Sequence, residues 1–192
     1  MNNDIENYTS QFINLSKNTF TLFKELLTYT ELEPFDFFIK VNERPTDFFI
    51  IKTGLIRSYL ETEDGKEITR HLFTPGDLST NLSSMVKETP ADVNYQALTK
   101  VTGYRGNFYE FKELALKHHE LSLFYVKALE QSYLKAEKVI LDISTYNATE
   151  RYLMLRKKVP NVDNLIAQRY IASYLNVSPV QLSRIKKSLL KS

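Results

Sequence analysis

The spacing of apolar residues changes twice along the chain, and this change restricts the possible folds more than any other feature. From Pro34 to about Arg105, short segments rich in Phe, Ile, Val, Tyr and Thr alternate with turn signals such as Asp64-Gly65. An Asp-Gly pair between two strand-like runs is a strong hairpin signal, and closely spaced short strands are typical of a small antiparallel barrel or jelly roll. The predicted strands are 35–41, 47–53, 55–61, 66–73, 93–98 and 100–105.

The segments on either side of this region have the apolar spacing of helices. Residues 10–32 are predicted to be helical, because large apolar side chains recur there at mostly helical intervals. After Gly106 the helical spacing returns, and residues 123–143 carry a heptad-like seam on one long helix. The last 42 residues are predicted to be helical with two breaks, at Pro160-Asn161 and at Asn176–Pro179.

The apolar seam of the long helix has two interpretations. The helix packs on its own β domain, or it pairs with the same helix of a second copy in a homodimer. Small Ser132 and Ala136 would let two backbones approach closely. The predicted dimer seam consists of Val126, Leu129, Tyr133, Ala136 and Ile140.

The charge of the chain is divided unevenly between its two ends. Residues 151–192 contain nine basic residues and a single acid, Asp163, which gives a formal net charge of +8. The first 150 residues contain 16 basic and 22 acidic residues, a net charge of −6. This distribution indicates either a polyanionic partner at the C-terminal end or an ordinary solvated helical surface. The nine basic residues are Arg151, Arg156, Lys157, Lys158, Arg169, Arg184, Lys186, Lys187 and Lys191.

The most specific motif is the sequence QRYIASYLNVSPVQLSRI at residues 168–185. Small Ala172 allows a second helix to cross close above the first, and Asn176 tolerates the positive φ that a tight turn requires. Ser178 is a good N-cap, and Pro179 stands at the first helical position, where its missing N–H costs nothing. The motif therefore predicts a helix-turn-helix, the alternative being an ordinary helical hairpin.

The outward face of the second helix carries the residues that suit contact with a DNA duplex. Arg makes two hydrogen bonds to guanine and Gln makes two to adenine, whereas Lys suits phosphates. We expect this helix to enter a major groove. The candidate DNA-binding residues are Arg184, Gln181, Ser183, Val180, Ser178, Lys186, Lys187 and Arg169.

The chain resembles the Crp/Fnr superfamily of bacterial transcription regulators over roughly residues 15–190. The resemblance rests on FFIIKTGLIRSYLETEDGKEITRHLFTPGDL at 48–78, on ATERYLMLRKKVP at 148–160 and on QRYIASYLNVSPVQLSRIKKSLL at 168–190. It looks especially like the short regulators common in Bacteroidetes. The resemblance implies an α+β fold, with an N-terminal antiparallel β-roll (jelly roll) and flanking helices, a long dimerisation helix and a C-terminal all-α helix-turn-helix domain.

What the resemblance implies about domains and function is equally specific. The expected domains are 1–118, the N-terminal helix and sensor-like β-roll; 119–147, the long dimerisation helix; and 148–192, the DNA-binding domain. The function implied is that of a homodimeric regulator whose partners are double-stranded DNA and RNA polymerase. Its β-roll either senses a small-molecule effector of unknown identity or is a purely structural dimer platform without an effector. The alternative is a small-molecule-binding or protein-interaction module without a DNA function.

Two departures from the family pattern limit this expectation. Members that bind cyclic AMP carry Gly-Glu and Arg-Ser pairs around the phosphate, but here Thr80 and Asn81 stand at the first pair and Ala91 and Asp92 at the second. An acid at a phosphate site is electrostatically unfavourable, so we expect no cyclic AMP binding. The candidate effector pocket consists of Thr80, Asn81, Leu82, Asp92 and Asn94. The second departure is that seven residues follow Ile185, so we expect no full wing after the second helix.

Enzymatic, metal and membrane functions have little support in the sequence. The chain contains no cysteine and three histidines, so thiol catalysis and iron–sulfur clusters are excluded and a cupin-like metal site lacks its ligands. We expect no enzymatic activity, cofactor or metal. The N-terminal residues lack the basic region of a signal peptide, and the longest runs of bulky apolar residues fall far short of the roughly 20 residues of a membrane span. A cytoplasmic protein without membrane contact is expected.

Overall fold

The structure, a computed structural model, describes residues 2–190, so Lys191 of the basic tail lies outside the described residues. Eight strands form two four-stranded antiparallel sheets. The strands are β1 Leu27–Leu32, β2 Phe37–Ile39, β3 Asp47–Thr53, β4 Ile56–Glu61, β5 Glu67–Phe73, β6 Leu78–Ser79, β7 Asn94–Ala97 and β8 Val101–Asn107. The helices are α1 Asn2–Ser10, α2 Lys17–Glu25, α3 Leu82–Lys87, α4 Phe108–Lys117, α5 His119–Thr145, α6 Ala148–Lys158, α7 Val162–Leu165, α8 Gln168–Tyr174 and α9 Pro179–Leu189.

The two sheets form the predicted β-roll, which confirms the predicted fold class. The first sheet has the strand order β1-β8-β3-β6 and the second has the order β2-β7-β4-β5. Each predicted strand segment overlaps one observed strand, although β8 runs two residues beyond the predicted 100–105 and the short strand β6 was not predicted. The hairpin between β4 and β5 turns at Asp64-Gly65, where Gly65 has a φ of 77° that a residue without a side chain adopts readily.

The N-terminal prediction of one helix over 10–32 is wrong in two places. Apart from Ser10, the last residue of α1, only Lys17–Glu25 is helical within that range, because Ser16 caps the helix and the chain leaves it at Leu26. Residues Leu27–Leu32 instead form β1, which pairs along its length with β8. The Thr-Tyr-Thr run in this segment favours a strand, and the vacant edge of the first sheet decides the outcome. Helix α1 was not predicted.

The first core cluster lies on the first sheet and includes the beginning of the long helix. Phe124 of α5 contacts the rings of Tyr8, Phe12, Phe23 and Phe111, which come from α1, its following turn, α2 and α4. This cluster continues onto β3 and β8 of the first sheet. The first two turns of α5 are therefore packed on their own β-roll.

The second core cluster fills the space between the two sheets. It is built from aliphatic and aromatic side chains such as Phe49, Ile51, Ile56 and Tyr95. Tyr95 lies in β7 of the second sheet, and its hydroxyl donates a hydrogen bond at 2.9 Å to the carbonyl of Thr80, the residue that follows β6 of the first sheet. The interior of the roll is thus apolar and packed.

The third core cluster joins the C-terminal helices to the β-roll. Leu55, Leu72 and Leu98 of the roll belong to one buried cluster with side chains of α6, α8 and α9, among them Tyr152 and Ile171. The C-terminal helices are therefore fastened to the roll. The boundaries of the three predicted domains stay a prediction, since this packing joins the first to the third.

The long helix α5 leaves most of its predicted seam open. Leu121 and Phe124 are buried, whereas the side chains from Val126 onward are largely exposed, with Tyr133 67% and Ile140 66% accessible. The beginning of the helix therefore packs on its own roll, as the first interpretation holds, and the remainder presents apolar side chains without a cover within the described residues. Pairing of this remainder with a second copy stays a prediction.

Two absences concern residues 2–190 only. No helix in this range is long and apolar enough to cross a membrane. Within the same range, no three His, Cys, Asp or Glu residues lie together as a metal site would require.

A polar junction around Asp77 ties the roll to α5 and α6. The Asp77 carboxylate lies 2.8 Å from Lys135 Nζ of α5 and 3.8 Å from Lys158 Nζ of α6. Burial by itself raises the pKa of Asp77, but the bonds from Lys135 and Thr74 together with the charge of Lys158 outweigh it and hold the pKa below its usual value. Lys158 also donates to the Leu72 carbonyl at 3.1 Å.

His71 lies inside this junction with several cations. Burial, together with the charges of Lys158, Lys135 and Arg70, lowers the pKa of His71 to about 4, and the charge of Asp77 opposes this shift. His71 therefore stays neutral in the folded protein at a pH where a solvated histidine takes up a proton.

The His71 environment predicts a loss of stability in mild acid. Because the unfolded chain protonates His71 near pH 6.5 and the folded chain does so near pH 4, stability is fully present above about pH 6.5 and falls by on the order of 3 kcal/mol toward pH 4. Urea unfolding at fixed protein concentration measures this slope. His71→Gln should flatten the slope; an unchanged slope in this variant would place the sensitivity elsewhere.

Candidate nucleic-acid interface

The turn between α8 and α9 has the geometry that its sequence predicts. Asn176 adopts a φ of 54°, in the left-handed region that Asn tolerates better than most residues. The Val177 amide then donates to the Ala172 carbonyl at 3.0 Å, which closes the end of α8. Ala172 is buried, and buried Leu182 of α9 belongs to the same apolar cluster. The two helices are thus held at a fixed angle.

The start of α9 is fixed by reciprocal hydrogen bonds. Ser178 Oγ accepts from the Gln181 amide at 3.2 Å, and Gln181 Oε1 accepts from the Ser178 amide at 2.8 Å. Pro179 occupies the first helical position. This capping box satisfies amide groups that a helix start otherwise leaves unpaired, so α9 begins at a defined residue.

Arg151 of α6 fastens this turn to the rest of the C-terminal helices. Its Nη2 donates to the Leu175 carbonyl at 3.0 Å, at the point where α8 ends. From the sequence, Arg151 is one of nine basic residues, with no predicted structural role. Its bond to the turn shows that part of the positive charge in this region serves to hold the motif together.

The outer face of α9 is open to solvent. Val180, Ser183, Arg184 and Lys187 are exposed, as is the N-cap Ser178. No hydrogen bond or ion pair within residues 2–190 engages the side chains of Arg184 and Lys187. These two cations are therefore available to a ligand outside the chain.

Gln181 and Lys186 differ from this open set, because each already has a partner within the chain. The amide oxygen of Gln181 is used by the capping box, so a two-bond contact to adenine requires the cap to open. Lys186 Nζ forms an ion pair with Asp163 Oδ1 at 2.6 Å, and both side chains are partly buried. Lys186 and Lys187 are both candidate DNA-binding residues by sequence, but only Lys187 is exposed and outside an ion pair in residues 2–190.

Asp163, the one acid among residues 151–192, holds three helices together. Its carboxylate accepts the Tyr152 hydroxyl of α6 at 2.7 Å and pairs with Lys186 of α9, while Asp163 itself lies on α7. Burial by itself raises the pKa of Asp163, but Lys186, Tyr152 and Arg156 together keep it below its usual value. Because this acid is engaged internally, it does not offset the exposed cations of α9.

Other exposed cations extend the positive surface beyond α9. Arg169 at the start of α8 is exposed, and its guanidinium donates to the Tyr170 hydroxyl at 2.8 Å. Arg156 and Lys157 at the end of α6 are also exposed. The structure thus brings exposed cations of α6, α8 and α9 into one compact group of helices.

The candidate effector residues of the roll are engaged in the roll's own structure. Thr80 Oγ1 donates to the Asp47 carbonyl, Asn81 caps α3, and Asn94 Oδ1 accepts from the Val41 amide at 3.0 Å. Leu82 begins α3 and Asp92 is exposed. Two cavities of about 200 Å³ each occur on the roll, one beside α1 and one beside Arg44 and Thr89, and none of the five candidate residues lines either cavity.

A buried charged residue on the second sheet, at its contact with the C-terminal helices, was not predicted from the sequence. Arg57 lies in strand β4 and is 1% exposed, the largest side chain among the fully buried ones. The signal was present, because an arginine inside an otherwise apolar strand needs a partner when buried. What the sequence lacks is the identity of the partners, which are Glu67 and Gln96 of the roll and the ring of Tyr170 in α8.

Comparison with known proteins gives a family match for the β-roll and structural matches for nearly the whole chain. Residues 29–118 match the family model described as the cyclic nucleotide-binding domain. Among curated proteins, none matches this sequence.

Several solved structures share the fold of nearly the whole chain. A protein from Eubacterium rectale ATCC 33656, assigned to the Crp/Fnr family of transcriptional regulators, superposes with a TM-score of 0.74 at 15% identity over 96% of this chain and 88% of its own. FixK2 from Bradyrhizobium japonicum gives 0.71 at 16% identity, covering 86% and 85%. The c-di-GMP-responsive regulator CLP from Xanthomonas campestris gives 0.67 at 11% identity, covering 92% of both chains.

The resemblance drawn from the sequence motifs is therefore confirmed. The match to the family model covers the β-roll, and the structural matches extend through the long helix and the C-terminal helices. Residues 29–118 match the family model of the cyclic nucleotide-binding domain, and the chain as a whole shares the fold of these solved structures, the first of which is assigned to the Crp/Fnr family of transcriptional regulators.

Proposed function

We propose that this protein is a homodimeric transcription regulator that binds double-stranded DNA through helix α9. The observation that carries the proposal is the open face of α9, where Arg184 and Lys187 are exposed while the motif behind them is locked by internal bonds. A rigid helix with free cations on its outer face suits insertion into a major groove. Arg184 is proposed to contact a base, and Lys187 a phosphate.

The distribution of charge supports a polyanionic partner at this end. The C-terminal region holds a single acid, Asp163, and that acid is consumed by Lys186 and Tyr152. Arg156 lies 3.8 Å from the same carboxylate, whereas Arg184 and Lys187 on α9 face water without a compensating charge among the described residues. Such a surface gains free energy on meeting phosphates, because condensed counterions are released from the duplex.

The exposed seam of α5 supports the second part of the proposal, pairing with a second copy. Apolar side chains at 126, 133, 140 and 143 are about half or more exposed, at helical spacing along one element. Isolated apolar residues at a surface are normal, but a row at coiled-coil spacing is typical of a helix that pairs with another. Two copies related by a twofold axis would present two α9 helices to half-sites about 34 Å apart.

The proposal does not include cyclic AMP as an effector. Ala91, at the position where the family's arginine neutralises the cyclic phosphate, is buried and provides no charge. Asp92 beside it is an acid, and Asn81 is occupied as the cap of α3. A phosphate placed there would lose its water shell and gain no cation.

The proposed role of α9 predicts distinct effects for neighbouring residues. A duplex obtained by selection from random sequences about 30 base pairs long provides the probe, and fluorescence anisotropy measures binding between about 50 and 200 mM salt. Arg184→Ala should cost about 1–3 kcal/mol and relax specificity at one position. Lys187→Ala should weaken all sequences similarly and lower the salt slope by about one.

The ion pair of Asp163 and Lys186 supplies a matched control. The double variant Asp163→Asn with Lys186→Gln removes one charge of each sign, so the salt slope should stay at the wild-type value. A wild-type protein that selects no duplex would disprove the proposed function. A Lys187→Ala variant with an unchanged slope would instead place the DNA on another face.

The open seam of α5 predicts that dimerisation depends on Tyr133 and Ile140. Tyr133→Asp with Ile140→Asp should convert the dimer to a monomer, because each carboxylate would have to be buried against its symmetry mate. Light scattering after size exclusion measures the mass. Glu137→Gln, on the same stretch of helix, is the control and should stay dimeric. A monomeric wild-type protein would contradict the prediction.

The structure around Ala91 predicts that cyclic AMP does not bind. Isothermal titration with cyclic AMP at millimolar concentration should give no heat of binding beyond dilution. Heat that saturates at one molecule per chain would show that the roll opens to admit the nucleotide and would overturn this part of the proposal.

A further inference from the structure

Arg57 is a buried cation at the contact between the β-roll and the helix-turn-helix. It is the second residue of β4, an inner strand of the second sheet, and is 1% exposed. Removing a guanidinium from water carries a large cost that only good partners offset. Its partners therefore indicate why an arginine occupies this position.

The hydrogen-bonding groups of Arg57 are held by two side chains of the roll. Nε and Nη2 donate to Gln96 Oε1 at 3.2 and 2.7 Å, and Nη1 lies 2.6 Å from Glu67 Oε2. Gln96 is itself oriented, because its Nε2 donates to the Phe35 carbonyl at 3.1 Å. The plane of the guanidinium is thus set by the roll.

The guanidinium also contacts two aromatic rings, one from each part of the protein. Its carbon lies 3.8 Å from the ring centre of Tyr59 in β4 and 4.1 Å from the ring centre of Tyr170 in α8. Arginine packs well on aromatic rings, and the interaction strengthens when water is excluded. Tyr170 belongs to the first helix of the helix-turn-helix. Arg57, whose guanidinium plane is fixed by the roll, therefore contacts that motif directly.

A second polar contact lies one turn further along α8. Ser173 Oγ donates to the Glu67 carbonyl at 2.8 Å and accepts from the Thr69 amide at 2.8 Å. Glu67 and Thr69 belong to β5, which is an edge strand of the second sheet. Edge strands offer unpaired amides and carbonyls, and Ser173 satisfies one of each. Helix α8 is therefore held on the roll by two contacts, one at Tyr170 and one at Ser173.

We propose that Arg57 is a positioning residue that sets the angle between the helix-turn-helix and the β-roll, and thereby the separation of the two recognition helices in the dimer. This inference rests on the proposed function. The apolar cluster around Leu72 and Ile171 holds the two parts together, but apolar packing is not directional. The hydrogen bonds and ring contacts of Arg57 are directional and define one orientation.

The experiment compares variants that remove or keep the ring on Arg57. Tyr170→Leu removes the ring and Tyr170→Phe retains it, and Arg57→Met removes the cation at similar volume. Phe23→Leu, in the separate cluster beneath α5, is a control that destabilises the fold without touching this contact. Tyr170→Leu leaves the interior of the roll unchanged, so it tests the proposal even where Arg57→Met fails to fold.

The first measurement is the dependence of affinity on half-site spacing. The selected duplex is compared with one carrying two extra base pairs at its centre, which rotates one half-site by about 70° around the duplex axis. On the longer duplex, we expect a loss of affinity on the order of tenfold for wild type, Tyr170→Phe and Phe23→Leu. We expect a loss of about threefold or less for Tyr170→Leu and Arg57→Met, because a loosened motif adjusts to either spacing.

The second measurement does not involve DNA. The chain has no cysteine, so spin labels at Glu63→Cys and Ser188→Cys are unique sites on the roll and on α9. Labelled protein is diluted into excess unlabelled wild type. One narrow distance distribution is expected for wild type and Tyr170→Phe, and a broadened one for Tyr170→Leu.

The outcomes separate the two proposals. If wild type selects a duplex but Tyr170→Leu keeps both the wild-type spacing dependence and the narrow distance distribution, the positioning role of Arg57 is overturned and the proposed function stands. If wild type selects no duplex, the proposed function fails. If Phe23→Leu flattens the spacing dependence as strongly as Tyr170→Leu, the effect reflects lost stability, and the positioning role is again overturned.

Discussion

The burial of the outer face of the second sheet by the C-terminal helices is the interaction on which the rest of this structure depends. Leu55, Leu72 and Leu98 of the roll are removed from water only because Ile171 and its neighbours cover them. The same contact creates the dry environment in which Arg57 meets Tyr170, and it places Lys158 within reach of the Leu72 carbonyl. Apolar burial supplies the attraction, and the polar contacts at its edges select one arrangement.

The positive charge of the C-terminal region is divided between structural and available cations. Arg151 closes the end of α8, Lys158 joins α6 to the roll, and Lys186 neutralises Asp163. Arg184 and Lys187 remain exposed on α9. The division matters for function, because a cation held by an internal carboxylate releases few counterions when a polyanion arrives, whereas an exposed cation contributes fully.

Much of the fold and part of the site followed from short-range signals. The Asp64-Gly65 hairpin, the left-handed Asn176 and the Ser178 cap are local, since each depends on the conformational preference of one or two residues. The strand Leu27–Leu32 was predicted as a helix because its apolar spacing fits both structures, and the edge offered by β8 settled the matter. The partners of Arg57 and Lys186 could not be predicted, because each contact joins separate elements.

The sequence by itself determined the order of β-roll, long helix and helix-turn-helix, because periodicity, turn residues and caps act within a few positions. It also determined the excess of positive charge at the C-terminal end, which is a property of composition. Only the tertiary structure decided which cations remain free, that the candidate effector residues serve the roll's own hydrogen bonds, and that α8 rests on Arg57. These outcomes depend on which distant side chains come within a few ångströms of one another, and that is fixed by the packing of whole elements.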